Sequence, residues 1–199
     1  DVCSSDLIFL PSERYLGLFD DTDERFDASV RTKFYDKNGN LLTSAADPEY
    51  IAPHCKKYED YDRVMDAGAS SKNIYFIRYA DLILLYAECL LAENDLAGAK
   101  QQVIRVRNRA KVSTPITASN NTEMLDFIYE ERMRELGMEG WRRMDLIRRG
   151  ADYFAAQVDK YNPFAKGNVQ PYHAFYPIPT NEINMNDGIG AEDQNEGYK

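Results

Sequence analysis

The sequence predicts a mainly α-helical protein with an antiparallel helical hairpin, a charged helical clamp, long irregular loops and a small β-hairpin. Three observations favour this class. Residues 78–110 carry apolar side chains at helical spacing on both sides of one short turn. Residues 130–150, which we call the helical clamp, mix acidic and basic side chains at helical spacing. Most other segments are rich in Pro, Gly and Asn, which favour loops.

The composition excludes two classes of partner. The chain has 199 residues, with 24 Lys and Arg against 33 Asp and Glu, so its formal net charge is −9. A nucleic-acid-binding protein needs a basic surface to neutralise phosphates, and a polybasic membrane contact needs clustered lysine or arginine. The acidic balance therefore predicts neither a nucleic-acid partner nor a polybasic contact with a membrane.

Cysteine and histidine usage predicts no disulfide framework, no metal site and no cofactor. Cys3, Cys55 and Cys89 are an odd, sparse set, and His54 and His173 lack the spacing of metal ligands. The apolar run around Cys89 predicts that this residue is small and buried.

The first 74 residues predict loops and short strands. Residues 29–35 are partly β-branched and lead to Asn38-Gly39, the strongest short signal for a β-hairpin. Residues 47–73 contain two prolines and several polar clusters, which predict a long surface loop.

The acidic cluster at residues 20–24 lacks the alternation and central glycine of a calcium-binding loop. It predicts a solvated turn in which Asp23 pairs with Arg25.

The region from Arg78 to Ala110 predicts the helical hairpin. Its first half is apolar nearly all round and predicts a buried helix with Tyr79 and Tyr86 in the core. Asp95 is the expected N-cap of the second helix. The inward stripe of that helix is Leu96, Ala99, Val103, Val106 and Ala110. Small residues at 87 and 99 fit one tetratricopeptide-like unit, and such units need neighbours to bury their faces, so we expect partner helices upstream.

Two further helices follow. Thr122 is the expected cap of the third helix, whose inward residues are Leu125, Ile128, Tyr129, Met133 and Leu136. The fourth runs from about Trp141 to Arg148 and ends at Gly150. Residues 151–199 begin helical and then turn rich in Pro, Asn and Gly, and residues 176–179 are expected to be extended.

The helical clamp predicts a structural salt-bridge network. Its expected members are Glu88, Glu130, Glu131, Arg132, Glu135, Glu139, Arg142 and Asp145. Arg132 falls on the apolar side and needs a carboxylate, for which Glu88, Glu139 and Asp145 are candidates. Two carboxylates could instead form the acid/base couple of a glycosidase. Interleaved arginines lower carboxylate pKa values, whereas a general acid needs a raised pKa, so we expect no enzyme.

Several motifs, in order, resemble the SusD/RagB family. They are Arg78-Tyr79-Ala80-Asp81-Leu82-Ile83-Leu84-Leu85-Tyr86-Ala87-Glu88, Arg105-Val106-Arg107-Asn108-Arg109-Ala110, the helical clamp, Tyr176-Pro177-Ile178-Pro179 with Glu182-Ile183, and Gln194-Asn195-Glu196-Gly197-Tyr198. The match covers about residues 75–199 and is weaker over 1–74.

The resemblance implies that residues 1–199 form the C-terminal part of a SusD/RagB-like domain. Within it lie a loop and hairpin region (1–74), a helical core (75–150) and a loop-rich closing segment (151–199). The resemblance implies a lipoprotein on the exterior face of the outer membrane of Bacteroidetes-type bacteria. Such proteins bind oligosaccharides, or in some members peptides, and pass them to a SusC-like, TonB-dependent porin. The lipid anchor is expected in an N-terminal region that this chain lacks, and Cys3 is not expected to be the anchor.

The motifs carry no ligand-binding residue, so candidates come from chemistry. Sugars stack on aromatic faces and bond through their hydroxyls to carboxylates and amides. Tyr58 and Tyr61 lie among acidic residues in the long loop and are the predicted ligand contacts. Trp141 suits a sugar platform by type, but its place in the helical clamp favours packing. Two other functions stay open, a helical scaffold for protein–protein interaction and a glycosidase.

Overall fold

The computed structural model describes residues 10–35, 38–42, 52–59, 70 and 72–199. The chain divides into two compact units, Asp1–Gly140 and Trp141–Lys199. The described helices are α1 (Glu13–Leu16), α2 (Arg25–Ser29), α3 (Tyr79–Ala92), α4 (Leu96–Arg109), α5 (Asn121–Glu135), α6 (Arg142–Arg148), α7 (Ala151–Tyr161) and α8 (Thr180–Met185). The described strands are β1 (Val30–Arg31) and β2 (His54–Cys55). The mainly helical prediction is confirmed.

The predicted hairpin of α3 and α4 is present. Asp95 caps α4 as expected, because its side chain accepts a hydrogen bond from the Gly98 N–H at 2.8 Å. Ala87 of α3 and Ala99 of α4 are both fully buried. Small side chains at these positions let the helix axes approach closely, which matches the tetratricopeptide-like expectation.

The third long helix completes the core of the first unit. Met124 and Ile128 of α5 are fully buried and join Leu84 and Val103 in one cluster. The predicted cap at Thr122 is wrong: Asn120 caps α5, with its side-chain oxygen accepting from the Glu123 N–H at 3.0 Å. Residues 119–122 are Ser-Asn-Asn-Thr, and each of these residue types is a good N-cap, so the sequence does not decide where α5 begins. In the structure it is the Asn120 side chain that forms the capping hydrogen bond.

One prediction about α3 is wrong. The helix is apolar nearly all round, yet Tyr79, Leu82 and Tyr86 are 66%, 52% and 53% exposed. Cys89, expected to be buried, is exposed as well. Within the described residues α4 and α5 pack against one side of α3 and leave the other side open. Tyr129, in contrast, is buried as expected.

The β-structure is shorter than the sequence predicts. The Asn38-Gly39 turn is present, with Gly39 at φ +84° and one antiparallel bridge between Tyr35 and Leu41. The two-residue strand β1 pairs with β2 instead, with Val30 opposite Cys55. Residues 54–55 were expected to be loop, and two-residue strands carry too few residues for an alternating pattern to be recognised.

The second unit has a small core of its own. Leu146 of α6, Phe154 of α7 and Ala174 of a 3₁₀ turn are buried together. Gly150 separates α6 from α7 with φ +107°, which agrees with its predicted place at a helix end. Residues 176–179 lie outside any helix or strand, which agrees with the expectation that proline disfavours helix in the residue before it. In the described part of the chain, none of the helices combines the length and apolar character needed to cross a membrane.

Candidate functional site

The charged residues of α5 lie in a buried network of arginines. Glu131 has no exposed surface and accepts hydrogen bonds from Arg25 at 2.7 Å, Arg107 at 3.3 Å and Arg134 at 3.0 Å. A buried carboxylate needs this much compensation because desolvation of a lone charge is costly. Glu130, the neighbouring residue, lies at the surface and pairs with Arg134 at 3.6 Å.

Glu135 occupies a similar position one turn later. Its carboxylate accepts hydrogen bonds from Arg25 at 3.2 Å, Arg78 at 2.9 Å and Arg109 at 2.7 Å. Burial alone raises the pKa of Glu135, but the Arg78 hydrogen bond and the charges of Arg109, Arg78 and Arg25 outweigh it. The net pKa is lowered. Glu135 is therefore ionised at neutral pH, the opposite of what a general acid requires.

Arg132 has a partner that the sequence did not suggest. Its Nη1 lies 2.6 Å from Oδ1 of Asp81 in the first turn of α3, and both side chains are buried. Glu88, one of the three expected candidates, is 3.9 Å from Arg132 Nε. Glu139, another candidate, accepts hydrogen bonds from Lys57 and from Arg78, the latter at 2.8 Å. One signal could have identified Asp81: it lies seven residues before Glu88, which places both carboxylates on the face of α3 that meets α5.

The remaining two predicted members lie in the second unit. Arg142 is the first residue of α6, and Asp145 is buried one turn later. Asp145 accepts a hydrogen bond from Arg148 at 3.0 Å. Trp141 is half-buried and immediately precedes α6.

The acidic turn at residues 20–24 is tied into the same network. Asp23 accepts hydrogen bonds from Arg25 Nε at 2.8 Å and Nη2 at 2.6 Å, so the predicted pairing is confirmed. The expectation of a solvated turn is wrong for this pair, because Asp23 and Arg25 are both buried. In the residues that the structure describes, no group of three or more His, Cys, Asp or Glu is placed to hold a metal ion.

Tyr58, the described one of the two predicted ligand contacts, lies just after β2. Tyr61 falls outside the described residues. The ring of Tyr58 is half-buried and lies 6.5 Å from the ring of Tyr75, with the planes tilted by 39°. Tyr75 is 52% exposed. Sequence reasoning missed Tyr75 because it is the first residue of the predicted helical core (75–150), outside the loop in which ligand contacts were expected.

The residues on either side of Tyr58 fix its position. Lys57 donates hydrogen bonds to the Glu135 carbonyl at 2.8 Å and the Gly137 carbonyl at 3.0 Å. Glu59 accepts two hydrogen bonds from Arg31, at 2.6 and 2.7 Å. Burial raises the pKa of Tyr58, with the Glu139 charge adding to the effect, so its hydroxyl is neutral at physiological pH and can donate a hydrogen bond.

Comparison with known proteins identifies the family. Residues 11–198 match the SusD family. The chain belongs to the SusD family. The chain is 34% identical over 134 residues to SusD-like protein P25 of Formosa agariphila, an alignment that covers 65% of this chain and 25% of that protein. It is 32% identical over 142 residues to the starch-binding protein SusD of Bacteroides thetaiotaomicron, covering 68% and 23% of the two chains.

Two solved structures share the fold of this chain. NanU of Bacteroides fragilis superposes with a TM-score of 0.61 at 26% identity, over 94% of this chain and 39% of that chain. A SusD superfamily protein, also from Bacteroides fragilis, gives a TM-score of 0.63 at 21% identity, over 93% and 40% of the two chains. In the two curated relatives, P25 and the starch-binding protein SusD, the matched segment is about a quarter of the relative's length.

Proposed function

We propose that this chain is the C-terminal part of a SusD-type nutrient-binding protein. The full-length protein captures oligosaccharides, or peptides, at the cell surface and delivers them to a SusC-like, TonB-dependent transporter. Its place is the exterior face of the outer membrane, where a lipid anchor outside residues 1–199 holds it. The observation that carries the proposal is the family match over residues 11–198, together with a starch-binding relative.

The network around α5 argues against a glycosidase that uses these carboxylates. Glu131 and Glu135 each contact three guanidinium groups within 3.3 Å. The oxygens of Glu131 are occupied by hydrogen bonds from arginines, and the lowered pKa of Glu135 keeps that carboxylate ionised. Neither arrangement suits a group that must protonate a leaving group. Their role is to join α2, α3, α4 and α5 into one rigid support.

Tyr58, with Tyr75 beside it, is the proposed ligand contact in the described part of the loop, and Tyr61 is the second proposed contact in that loop. An aromatic ring offers its face to the C–H surface of a sugar, and a neutral hydroxyl bonds the sugar's own hydroxyls. Lys57 and Glu59 hold the backbone around Tyr58, so the ring needs little ordering when a ligand binds, which favours affinity.

The test is calorimetric titration of the full-length protein with maltooligosaccharides, other glycans and peptides. Tyr58→Ala and Tyr61→Ala are each expected to weaken the preferred ligand by about tenfold, or about 1.4 kcal/mol. Tyr35→Ala is the control, because Tyr35 is an exposed tyrosine of the same unit outside this loop. Equal affinities of the wild type and the three variants would show that the ligand binds at a site without Tyr58 and Tyr61.

Two other outcomes would replace the proposal. Chromatography that detects shortened oligosaccharides after incubation would establish a glycosidase. A full-length protein that captures a transporter yet binds no oligosaccharide or peptide would establish a scaffold.

A further inference from the structure

Glu139 joins the two segments that carry the aromatic pair of the proposed ligand site. Its carboxylate accepts a hydrogen bond from Lys57 Nζ at 2.5 Å, and two from Arg78 Nε and Nη2, both at 2.8 Å. Lys57 immediately precedes Tyr58. Arg78 follows Tyr75 by three residues. One carboxylate thus connects the chain just before the first tyrosine with the chain just after the second.

Neither segment has a helix or strand that could place its ring. Residues 56–59 form a turn after β2, and residues 72–78 form no helix or strand before α3 begins. The ring centroids of Tyr58 and Tyr75 nevertheless lie 6.5 Å apart. In such segments no ladder of backbone hydrogen bonds fixes the chain, so the place of a side chain depends on the contacts that anchor its neighbours.

The anchor is the C-terminal end of α5, whose carbonyls carry partial negative charge. Lys57 and Arg78 both donate to the Glu135 carbonyl, at 2.8 and 2.7 Å. Lys57 also donates to the Gly137 carbonyl at 3.0 Å. The Glu139 side chain between the two cations is 2% exposed, so water screens its charge little.

Lys57 depends on Glu139 more than Arg78 does. Burial lowers the pKa of Lys57, and the hydrogen bond and charge of Glu139 oppose that effect. Without Glu139 the buried ammonium would lose its hydrogen-bonded countercharge, which is costly. Arg78 would keep its bond to Glu135 Oε1 at 2.9 Å. Removal of Glu139 therefore loosens both segments, the one before Tyr58 most.

We propose that Glu139 is a positioning residue of the ligand site, which holds the rings of Tyr58 and Tyr75 together as one preformed surface. The inference rests on the proposed function, because it needs these rings to contact the ligand. Two rings that are already held in place lose less conformational freedom on binding than two mobile rings, and the difference appears as affinity. Glu139 acts through the tyrosines and does not itself touch the ligand.

Calorimetric titration of the full-length protein tests this coupling. The probe is the tightest-binding member of the panel of maltooligosaccharides, other glycans and peptides. Glu139→Gln is expected to weaken it about tenfold, and Lys57→Met, which leaves Arg78 bound to Glu139, about threefold. In a Tyr58→Ala background, Lys57→Met is expected to cause no further loss, and Glu139→Gln a loss of about threefold through Tyr75 alone. Lys57→Met supplies the test if Glu139→Gln fails to fold.

Asp81→Asn is the matched control. Asp81 is a buried carboxylate that binds the buried guanidinium of Arg132 at 2.6 Å, so the variant removes an ion pair of the same kind whose partner belongs to neither segment. Its affinity is expected to stay within about twofold of the wild type. A loss as large as that of Glu139→Gln would assign the effect to general stability and overturn the proposal.

A second measurement needs no ligand. With 3-fluorotyrosine incorporated at position 58 or 75 of the full-length protein, Glu139→Gln is expected to shift and broaden both fluorine NMR signals, and Asp81→Asn neither. Unchanged signals in Glu139→Gln would overturn the proposal even where Tyr58→Ala confirms the ligand contact. Equal losses of affinity in the wild-type and Tyr58→Ala backgrounds would overturn it as well. A panel without a binder, or full affinity in both Tyr58→Ala and Tyr75→Ala, would instead refute the proposed ligand site and the inference with it.

Discussion

Arg25 Nη1 lies 2.7 Å from Glu131 Oε1, although 106 residues separate the two along the chain. The contact joins the short helix α2 to the middle of α5, and both side chains are buried. Arg25 also pairs with Asp23, so the guanidinium is shared between a local and a distant carboxylate. A five-residue helix has little intrinsic stability, and this ion pair fixes its position in the fold.

Glu131→Gln is expected to lower the free energy of unfolding by about 3–5 kcal/mol. The substitution keeps the shape of the side chain but removes the buried negative charge that Arg107 and Arg134 share, and it leaves Arg25 with Asp23 and Glu135 alone among its carboxylate partners in the described residues. Chemical denaturation of the full-length protein measures the loss. Glu130→Gln is the matched control, because Glu130 is exposed at the surface, and its cost is expected to stay below about 1 kcal/mol. Equal effects at the two positions would contradict the role of Glu131.

Asp81→Asn is expected to destabilise the protein more than Glu88→Gln does. Both carboxylates face Arg132, but Asp81 is at 2.6 Å and Glu88 at 3.9 Å, beyond hydrogen-bond distance. Loss of Asp81 leaves the buried guanidinium with a weaker partner, at a cost of about 3 kcal/mol, against about 1 kcal/mol for Glu88. Thermal unfolding of the two variants side by side gives the order, and a reversed order would assign Arg132 to Glu88.

The lowered pKa of Glu135 predicts that acid destabilises the fold. A carboxyl group whose folded pKa lies below its unfolded value of 4.5 stabilises the protein above pH 4.5. That contribution is lost as the pH falls below 4.5 and through the folded pKa. The stability gap between the wild type and Glu135→Gln should therefore narrow as the pH falls from about 5 to about 3. A stability difference that stays constant over this pH range would show that the pKa of Glu135 is not lowered in the folded protein.

The sequence predicts the helices well because their signals are local. Asp95 caps α4 through a residue three positions away, and the stripe containing Ala99 and Val103 repeats every three or four residues. The pairing of Val30 with Cys55 has no such signal, since 25 positions of varied sequence separate two very short strands. Local periodicity also made α3 seem buried on all sides, and only the packing shows that Tyr86 is exposed.

The charged network is predictable in kind but not in its pairs. A dense mixture of acidic and basic residues on α5 indicates ion pairing, and the sequence places Arg132 on the apolar side. The actual partners, among them Arg25 and Asp81, come from segments far along the chain. Any of several carboxylates could satisfy a given arginine, and the packing of the helices decides which one does. The Tyr58–Tyr75 pair likewise depends on where the loop after β2 lies.

Gly137→Ala is expected to destabilise the protein because the site has no room for a methyl group. A Cβ there would lie 2.3 Å from Cε2 of Tyr15 and 2.7 Å from the Met133 carbonyl oxygen. Tyr15 is buried against Phe19, so its ring cannot move aside freely. The expected cost is about 1–3 kcal/mol, measured by denaturant unfolding. Gly17→Ala is the control, since its nearest neighbour is an ordinary 3.4 Å away, and a cost as large there would exclude the steric explanation.

In the closing segment, the side-chain amide of Gln194 pairs with both backbone groups of Ile178, as the backbone of a neighbouring β-strand would. Gln194 Oε1 accepts from the Ile178 N–H at 2.7 Å, and Gln194 Nε2 donates to the Ile178 carbonyl at 2.9 Å. Nearby, Asn195 donates to the Tyr176 carbonyl at 2.6 Å and Tyr198 to the Phe175 carbonyl at 3.1 Å. Residues 175–178 therefore receive the hydrogen bonds that a neighbouring strand would supply.

Gln194→Glu is expected to weaken the hydrogen bonding that holds the backbone of residues 175–178 in place. The carboxylate keeps an acceptor for the Ile178 N–H but has no donor for the Ile178 carbonyl, against which it places a negative charge. We expect a loss of about 1–3 kcal/mol in stability. Hydrogen exchange at the Ile178 amide is expected to rise, because the local opening that exposes it becomes easier. Gln101→Glu makes the same chemical change on the exposed face of α4, where surface substitutions cost about 0.5 kcal/mol or less. Unchanged exchange at Ile178 in Gln194→Glu would mean that backbone packing, and not the Gln194 amide, holds residues 175–178 in place.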